Sequence, residues 1–282
     1  MKDKNIKISV VLPVYNAEIY IEDCIKALLS QNYPIDQYEI IMVDNNSKDR
    51  SPKIIKRYPD IKYLKRSKQG SYAARNTGIL KAKGEIIAFT DPDCEPSVDW
   101  LQNIEDAFCH PEISVILGRN QFVSNSHVLS MLTEYEAEKA AYVFSCDDKT
   151  MYYGYTNNMA IRKKLFNKVG LFLEIPRGAD VIFVRCVVED YSCNAVRYFS
   201  NIRVRHLEIS SKRIYLQKQY IYGKSYRNYR KIKRTRALTN VERLEIFKAT
   251  CKTNQYPYTK SCLLFFILLI GAICYEIGRR GV

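Results

Sequence analysis

The stretch GEIIAFTDPDCEPSVDWL, residues 84–101, decides how the chain is read. Its first half, EIIAFT, has the length and composition of a buried strand, and it ends on Asp91, Asp93 and Glu95. Two carboxylates one residue apart repel each other, and each loses hydration at the end of a buried strand. Such a pair calls for a cation. Hard oxygen ligands suit Mg2+ or Mn2+, ions that bind through one or two carboxylates together with substrate phosphates. The plainer reading of the same residues is an acidic turn with an aspartate capping a helix that begins near Ser97.

Working outward, residues 7–16, KISVVLPVYN, form a β-branched run closed by Pro13, which predicts a first buried strand. Asn16 occupies the expected N-cap of a helix whose apolar face is Ile21, Ile25, Leu28 and Leu29. YEIIMVD ends a second strand on Asp44, PKIIKRY opens a helix with Pro52, and IKYLKR is a short third strand. Residues 70–84 make a helix bracketed by glycines and lead into the opening stretch. Strands alternating with helices at this spacing imply βαβ units and a mainly parallel α/β sheet. In such sheets ligands lie beyond the carboxyl ends of the strands, where Pro13, Tyr15, Asp44, Asp91 and Asp93 all fall.

The second half is less regular. It predicts one or two strands over residues 114–123, a helix over 129–144, and a strand running into a helix that stops at Gly170. A helix carrying Val181, Val184 and Val188 follows, then two short strands around Asn201. Several residues here and earlier admit two readings. Asp44 is either a partner for a ribose or base edge or an Asx turn. Arg75 and Asn76 either reach a phosphate or face solvent. Asp180 is either a general base or a partner of a helix dipole. His206 is either structural or a metal or phosphate ligand.

In order along residues 7–206, VVLPVYN, IIMVDNNSKDRS, GSYAARNTGI, the DPD strand, TNNMAIRKKLFNKVGLF and RGADVIFVRCV resemble the family 2 glycosyltransferases of GT-A fold. The resemblance implies a Rossmann-like catalytic domain over residues 1–210, with a nucleotide-sugar half (about 1–110) and an acceptor half (111–210). It implies a nucleotide diphosphate sugar donor, most often a UDP sugar, and Mg2+ or Mn2+. Pro13, Tyr15, Asp44 and Arg75 would hold the nucleotide side and Asp91 the ribose. Asp93, with His206, would hold the metal. Asp180 would take the proton of the acceptor hydroxyl, and the product would invert. Three positions depart from the family pattern. Ala179 stands for a glutamate, Asn45 for the second aspartate of the nucleotide loop, and Pro92 stiffens the acidic pair. The rival enzyme class, a haloacid-dehalogenase phosphatase, places its motif on the first strand and follows it with Thr or Val, where this chain has Cys94. A catalytically degenerate nucleotide-sugar-binding membrane protein is the remaining alternative.

Composition bounds the rest. With 282 residues and 47% hydrophobic content, the chain can bury a core. The 9 cysteines have no zinc spacing and read as buried free thiols of a reducing compartment. No long apolar segment precedes the first strand, so no secretory signal is expected. The net charge of +14 lies entirely in residues 201–282, which hold 18 Lys and Arg against 4 Asp and Glu. Residues 211–257 read as a basic, tyrosine-rich helical segment, and 258–280 as an apolar membrane-associated helix, lying on the bilayer or spanning a thin one. The basic load next to an apolar run favours an anionic membrane surface over nucleic acid, and the cytoplasmic face of the cell membrane. The acceptor would then be a saccharide or a lipid-linked one.

Overall fold

The computed structural model describes residues 5–123 and 126–281. The first half is β1 (Ile8–Val14), α1 (Ile21–Leu29), β2 (Tyr38–Asp44), α2 (Ser51–Ile55), β3 (Ile61–Lys65), α3 (Ser71–Lys81) and β4 (Ile86–Thr90). All seven residues of β1 are buried, as in a parallel strand covered on both faces. Val10 and Leu12 pack with Ile21, Ile25 and Trp100 on one side. Val11 packs with Ile41, Phe89 and Val184 on the other. The alternation is the two-residue period of the strand divided between two cores.

The second half is β5 (Cys94–Pro96), α4 (Trp100–Ala107), β6 (Val115–Phe122), α5 (His127–Phe144), β7 (Asn158–Arg162), α6 (Phe166–Val169), α7 (Ala179–Asp190) and β8 (Val196–His206). Among the described residues the strands form one sheet in the order β3-β2-β1-β4-β7-β6-β8-β5. The β3-β2-β1-β4 part is parallel. Beyond β4 the sheet is mixed, because β7 joins both β4 and β6 antiparallel.

Three local expectations are corrected. Asn16 does not cap α1, which starts at Ile21; Asn16 has φ of 47°, and its side-chain oxygen accepts from the Lys48 N–H at 2.8 Å. It ties the β1 turn to the loop after β2. The helix expected near Ser97 begins at Trp100, because residues 94–96 form a strand that pairs with β8. The break expected at Asn201 is an irregularity within one strand: Phe199 pairs with Gly118 and Arg203 with Arg119.

The carboxyl-terminal part is α8 (Lys212–Tyr229), α9 (Asn240–Thr253) and α10 (Tyr258–Arg280). Leu264 and Ile267 of α10 and Tyr215 of α8 share an apolar cluster with Leu129 and Leu132 of α5. The tail is therefore packed onto α5. α8 and α10 run side by side in the same direction and touch through glycines. A Cβ on Gly223 would lie 1.9 Å from the Tyr275 carbonyl oxygen, and one on Gly278 would lie 2.1 Å from that of Tyr220.

By length and composition α10 could cross a membrane, and it is longer than its apolar run of sequence. Its surroundings divide it into three faces. Leu264, Ile267 and Gly271 are buried. Phe265, Leu268, Leu269 and Ala272 line a cavity. Leu263, Phe266, Ile270, Ile273 and Ile277, at helical spacing, are exposed, Phe266 by 61%. On the same side, α8 exposes Arg213, Tyr220 and Lys224.

The connector between α8 and α9 is held by Arg236, which donates to Asp148 at 2.6 Å and to both oxygens of Glu242 at 2.8 Å. Glu242 also completes a capping box with Thr239. Arg236 chiefly lowers the Glu242 carboxyl to about 2; the Thr150 hydroxyl, then Arg236, lower that of Asp148 to about 2.

Two stability experiments follow. Gly223→Val or Gly278→Val forces two backbones apart and is expected to lower unfolding free energy by about 1–3 kcal/mol in urea denaturation. Gly271→Ala, whose Cβ would meet nothing closer than 3.6 Å, serves as the tolerated control. For Arg236→Gln, both depressed carboxylates contribute stability above their unfolded values near pH 4 and lose it as pH falls toward 2. The pairs are about one-third exposed. The variant is therefore expected to be less stable by about 1 kcal/mol at pH 6, with the difference vanishing near pH 2.

Candidate active site

The carboxyl ends of β1 and β4, the start of α3, the start of α7 and the face of α8 enclose one cavity of about 1360 Å3. That exceeds the roughly 300–1,000 Å3 of a single ligand site. Pro13, Tyr15, Arg75, Asp91, Asp93, Asp180 and His206 all line it. Tyr15 is half exposed at the rim.

Asp44 does not line the cavity. It is 2% exposed, and its carboxylate accepts from the Ser47 N–H at 3.0 Å and the Tyr63 hydroxyl at 3.2 Å. Asn45 lines the cavity in its place. The Asn45 amide donates to the Lys68 carbonyl at 2.9 Å and accepts from the Gly70 N–H at 2.7 Å. An aspartate at this position could not make the first bond, which gives a physical reason for the departure noted in the sequence.

Arg75 is buried on α3. Its guanidinium donates to Asp91 and lies 5.4 Å from the centre of the Tyr72 ring. Its Nε is buried and has no hydrogen-bond partner among the described residues, so part of this cation's donor capacity is unspent. Asn76 instead turns into the fold, donating to the Phe172 carbonyl at 2.8 Å.

The acidic pair is held from two sides. Cys94 pairs with His206 across β5 and β8, which sets the His206 Nε2 3.0 Å from Asp93 Oδ2. Burial pushes the Asp91 carboxyl above the usual carboxylate range, against the opposing charge of Arg75; the negative charge of Asp93 adds to the rise. Burial pushes Asp93 up too, but the hydrogen bond and charge of His206, a backbone N–H and Lys218 outweigh it and hold Asp93 below that range. Asp93 is thus the more firmly ionised of the two. Asp93, Cys94 and His206 bring one potential ligand atom each within 4.8 Å of one another. Burial holds the Cys94 thiol above its ordinary pKa, and a soft sulfur ligand suits Mg2+ or Mn2+ less than oxygen or imidazole does. The carboxylate and imidazole that remain are a donor set that fits Mn2+, and the carboxylate fits Mg2+.

Asp180 lies in the first turn of α7 and lines the same cavity. The residue before the helix, Gly178, has φ of 88°, and a Cβ there would lie 2.4 Å from the ring of Tyr229 on α8. Only glycine satisfies both demands. Asp180 accepts from the Val181 N–H at 2.9 Å. Burial pushes its carboxyl above the usual range, against the Tyr72 hydroxyl, Arg75 and backbone N–H groups. A buried carboxylate with raised proton affinity is suited to take a proton.

Residues not assigned to the site from sequence also line it: Tyr72, Lys218, Tyr222 and Tyr229. Tyr72 was within reach of pattern reasoning, since it lies three residues before Arg75 on one helix face. The three residues of α8 carried no such signal, because their approach depends on how the tail folds back.

With this geometry established, comparison with known proteins defines the class. Residues 9–170 match the model of Glycosyl transferase family 2. The match covers more than half of the chain, which therefore belongs to that family and is a transferase. Glycosyltransferase AglE of Haloferax volcanii is 38% identical over 120 residues, 41% of this chain and 40% of that protein. Poly(ribitol-phosphate) beta-glucosyltransferase of Bacillus spizizenii is 43% identical over 93 residues, 31% of this chain and 15% of that one. The chain spans less than half the length of the curated relatives it matches. Mannosyltransferase PcManGT from Pyrobaculum calidifontis, solved with GDP-Man and Mn2+, superposes with a TM-score of 0.63 at 19% identity, covering 96% of this chain and 75% of that chain. Staphylococcus aureus TarS 1–349 with UDP gives 0.56 at 17% identity, covering 98% and 90%. These likenesses establish the GT-A fold.

The Arg75–Asp91 pair invites a double-mutant cycle. Arg75→Met leaves the Asp91 carboxyl beside Asp93 without its cation and is expected to destabilise by about 3 kcal/mol, whereas adding Asp91→Asn should restore part of that loss. Urea denaturation of the wild type, both single variants and the double variant measures the coupling.

Proposed function

We propose that this transferase moves a sugar from a nucleotide diphosphate sugar to an acceptor hydroxyl, with inversion at the anomeric carbon. The observation that carries the reading is that Asp93, 3.0 Å from the His206 imidazole, and the buried carboxyl of Asp180 line one cavity larger than a single ligand site needs. A UDP sugar is the favoured donor. TarS was solved with UDP and with UDP-GlcNAc, while PcManGT was solved with GDP-Man.

Pro13, Tyr15 and Asn45 would receive the nucleoside, on a loop that Asp44 braces through Ser47 and Tyr63. Asp91, turned by Arg75, would meet the ribose, and the unspent donor of Arg75 suits a phosphate. Asp93 and His206 would hold a divalent cation, which when bound neutralises the charge that develops on the leaving diphosphate. The imidazole favours Mn2+ over Mg2+. Asp180 takes the proton of the acceptor hydroxyl as its oxygen attacks the anomeric carbon from the face opposite the diphosphate. One C–O bond forms, the bond to the diphosphate breaks, and the electron pair leaves with the phosphate oxygen. A single displacement needs no covalent nucleophile.

In this reading residues 1–110 bind the donor and 111–210 the acceptor, and the tail seats the enzyme on the cytoplasmic face of the membrane. The apolar outer face of α10 beside Arg213 and Lys224 supports contact with an anionic leaflet. Relatives named for poly(ribitol-phosphate) and teichoic acid chemistry support a role in cell-surface polysaccharide or glycolipid synthesis.

Calorimetric titration with UDP, GDP and ADP, with and without Mn2+, tests the donor side. One diphosphate is expected to bind only with the metal, and Asp93→Ala to lose that binding. Asp180→Asn is expected to keep diphosphate binding and lower kcat by about 10²–10⁴-fold. The base must be deprotonated, so kcat rises with pH through a pKa above the ordinary aspartate value, and the variant should lack that limb. Undiminished turnover in Asp180→Asn would remove the assigned base.

A further inference from the structure

The cavity does not end at Asp180. It continues beneath α8 to a far wall made by Arg243 and Phe247 of α9 and Phe265, Leu268 and Leu269 of α10. A second cavity of about 490 Å3 adjoins it, and Arg243 lines both. Ile273 also lines the second cavity and is 52% exposed on the outer face of α10. The space between α9 and α10 thus forms a slot from the outer apolar face into the site.

Arg243 is unlike its neighbour in the connector. Arg236 is neutralised by Asp148 and Glu242. Arg243 donates its Nε to the Leu238 carbonyl at 3.2 Å and, among the described residues, forms no ion pair. Its charge acts on the hydroxyls of Tyr135 and Tyr275. Glu276 and Arg279 also line the second cavity, but they pair with each other. A cation with no carboxylate partner, beside the aromatic and aliphatic wall of Phe247, Phe265, Leu268 and Leu269, matches a ligand that is anionic at one point and apolar beside it.

We infer that this slot receives the phosphate of a lipid-linked acceptor. Arg243 pairs with the phosphate, the apolar chain runs along Phe265 and Leu269 and out past Ile273, and the saccharide end extends toward Asp180. The apolar chain is favoured over a soluble anionic polymer because the slot opens onto the exposed stripe of Phe266, Ile270, Ile273 and Ile277. The direction assigned to the saccharide rests on the transfer reading above; the lipid-phosphate site does not.

The test uses the full chain in mild detergent, titrated calorimetrically with farnesyl phosphate. Farnesol, inorganic phosphate and glycerol 3-phosphate serve as comparators. Farnesyl phosphate is expected to saturate, with each comparator at least tenfold weaker. Arg243→Ala is expected to weaken it at least tenfold and Arg243→Lys to recover most of that loss. Leu269→Glu, at an exposed wall position, should weaken it as well. Thermal melting establishes that each variant is folded. Equal affinity in wild type and Arg243→Ala would overturn the inference. So would glycerol 3-phosphate binding as tightly as farnesyl phosphate, which would point to a soluble polyol-phosphate acceptor. A UDP titration on the same samples separates the two readings: its failure would remove the donor assignment and leave the lipid site to stand or fall on farnesyl phosphate.

Discussion

The pairing of a three-residue strand with the end of β8 is the constraint on which the site depends. Through it Cys94 faces His206, and the Leu207 N–H donates to the Asp93 carbonyl at 2.8 Å. Residues more than a hundred positions apart are thereby fixed by backbone hydrogen bonds, which hold far more firmly than side-chain contacts across an open cleft. The acidic pair then inherits two different environments. Asp91 looks back to Arg75 on α3, and Asp93 looks across to His206 at the end of β8. The two environments meet at Pro92, between the two carboxylates.

Much of this was legible in the sequence where one force dominated. The parallel strands are continuous apolar runs because both faces are buried, and the helices between them keep a clear apolar face. Asp91, Asp93, Asp180 and His206 stand out because each ends or follows a strand or opens a helix, Arg75 stands out only through the family resemblance of its helix, and the fold gathers them. The short strand at residues 94–96 was hidden because three residues are too few for any period. Asn16 read as a cap from its type alone, although its left-handed backbone serves a loop-to-loop tie. Asp44 and Asn45 could not be told apart, since a turn turns one inward and the next outward without changing composition.

The tail shows a different limit. Its charge and its apolar content are plain in the sequence, but composition does not say which side of a helix meets which neighbour. Gly223 and Gly278 decide that, by letting α8 and α10 approach closely enough for one shared layer. Once the layer exists, α10 has three unlike faces, a division that a count of apolar residues cannot reveal.

That layer also sets a dimension. Lys218, whose charge is felt at Asp93, and Tyr229, packed over Gly178 beside Asp180, lie on the same helix. Eleven residues of α-helix measure about 16 Å. α8 therefore runs along the cavity, with Lys218 near Asp93 and Tyr229 near Asp180. The cavity that both carboxylates line is thus closed by a helix of the tail, and the sheet alone does not define it.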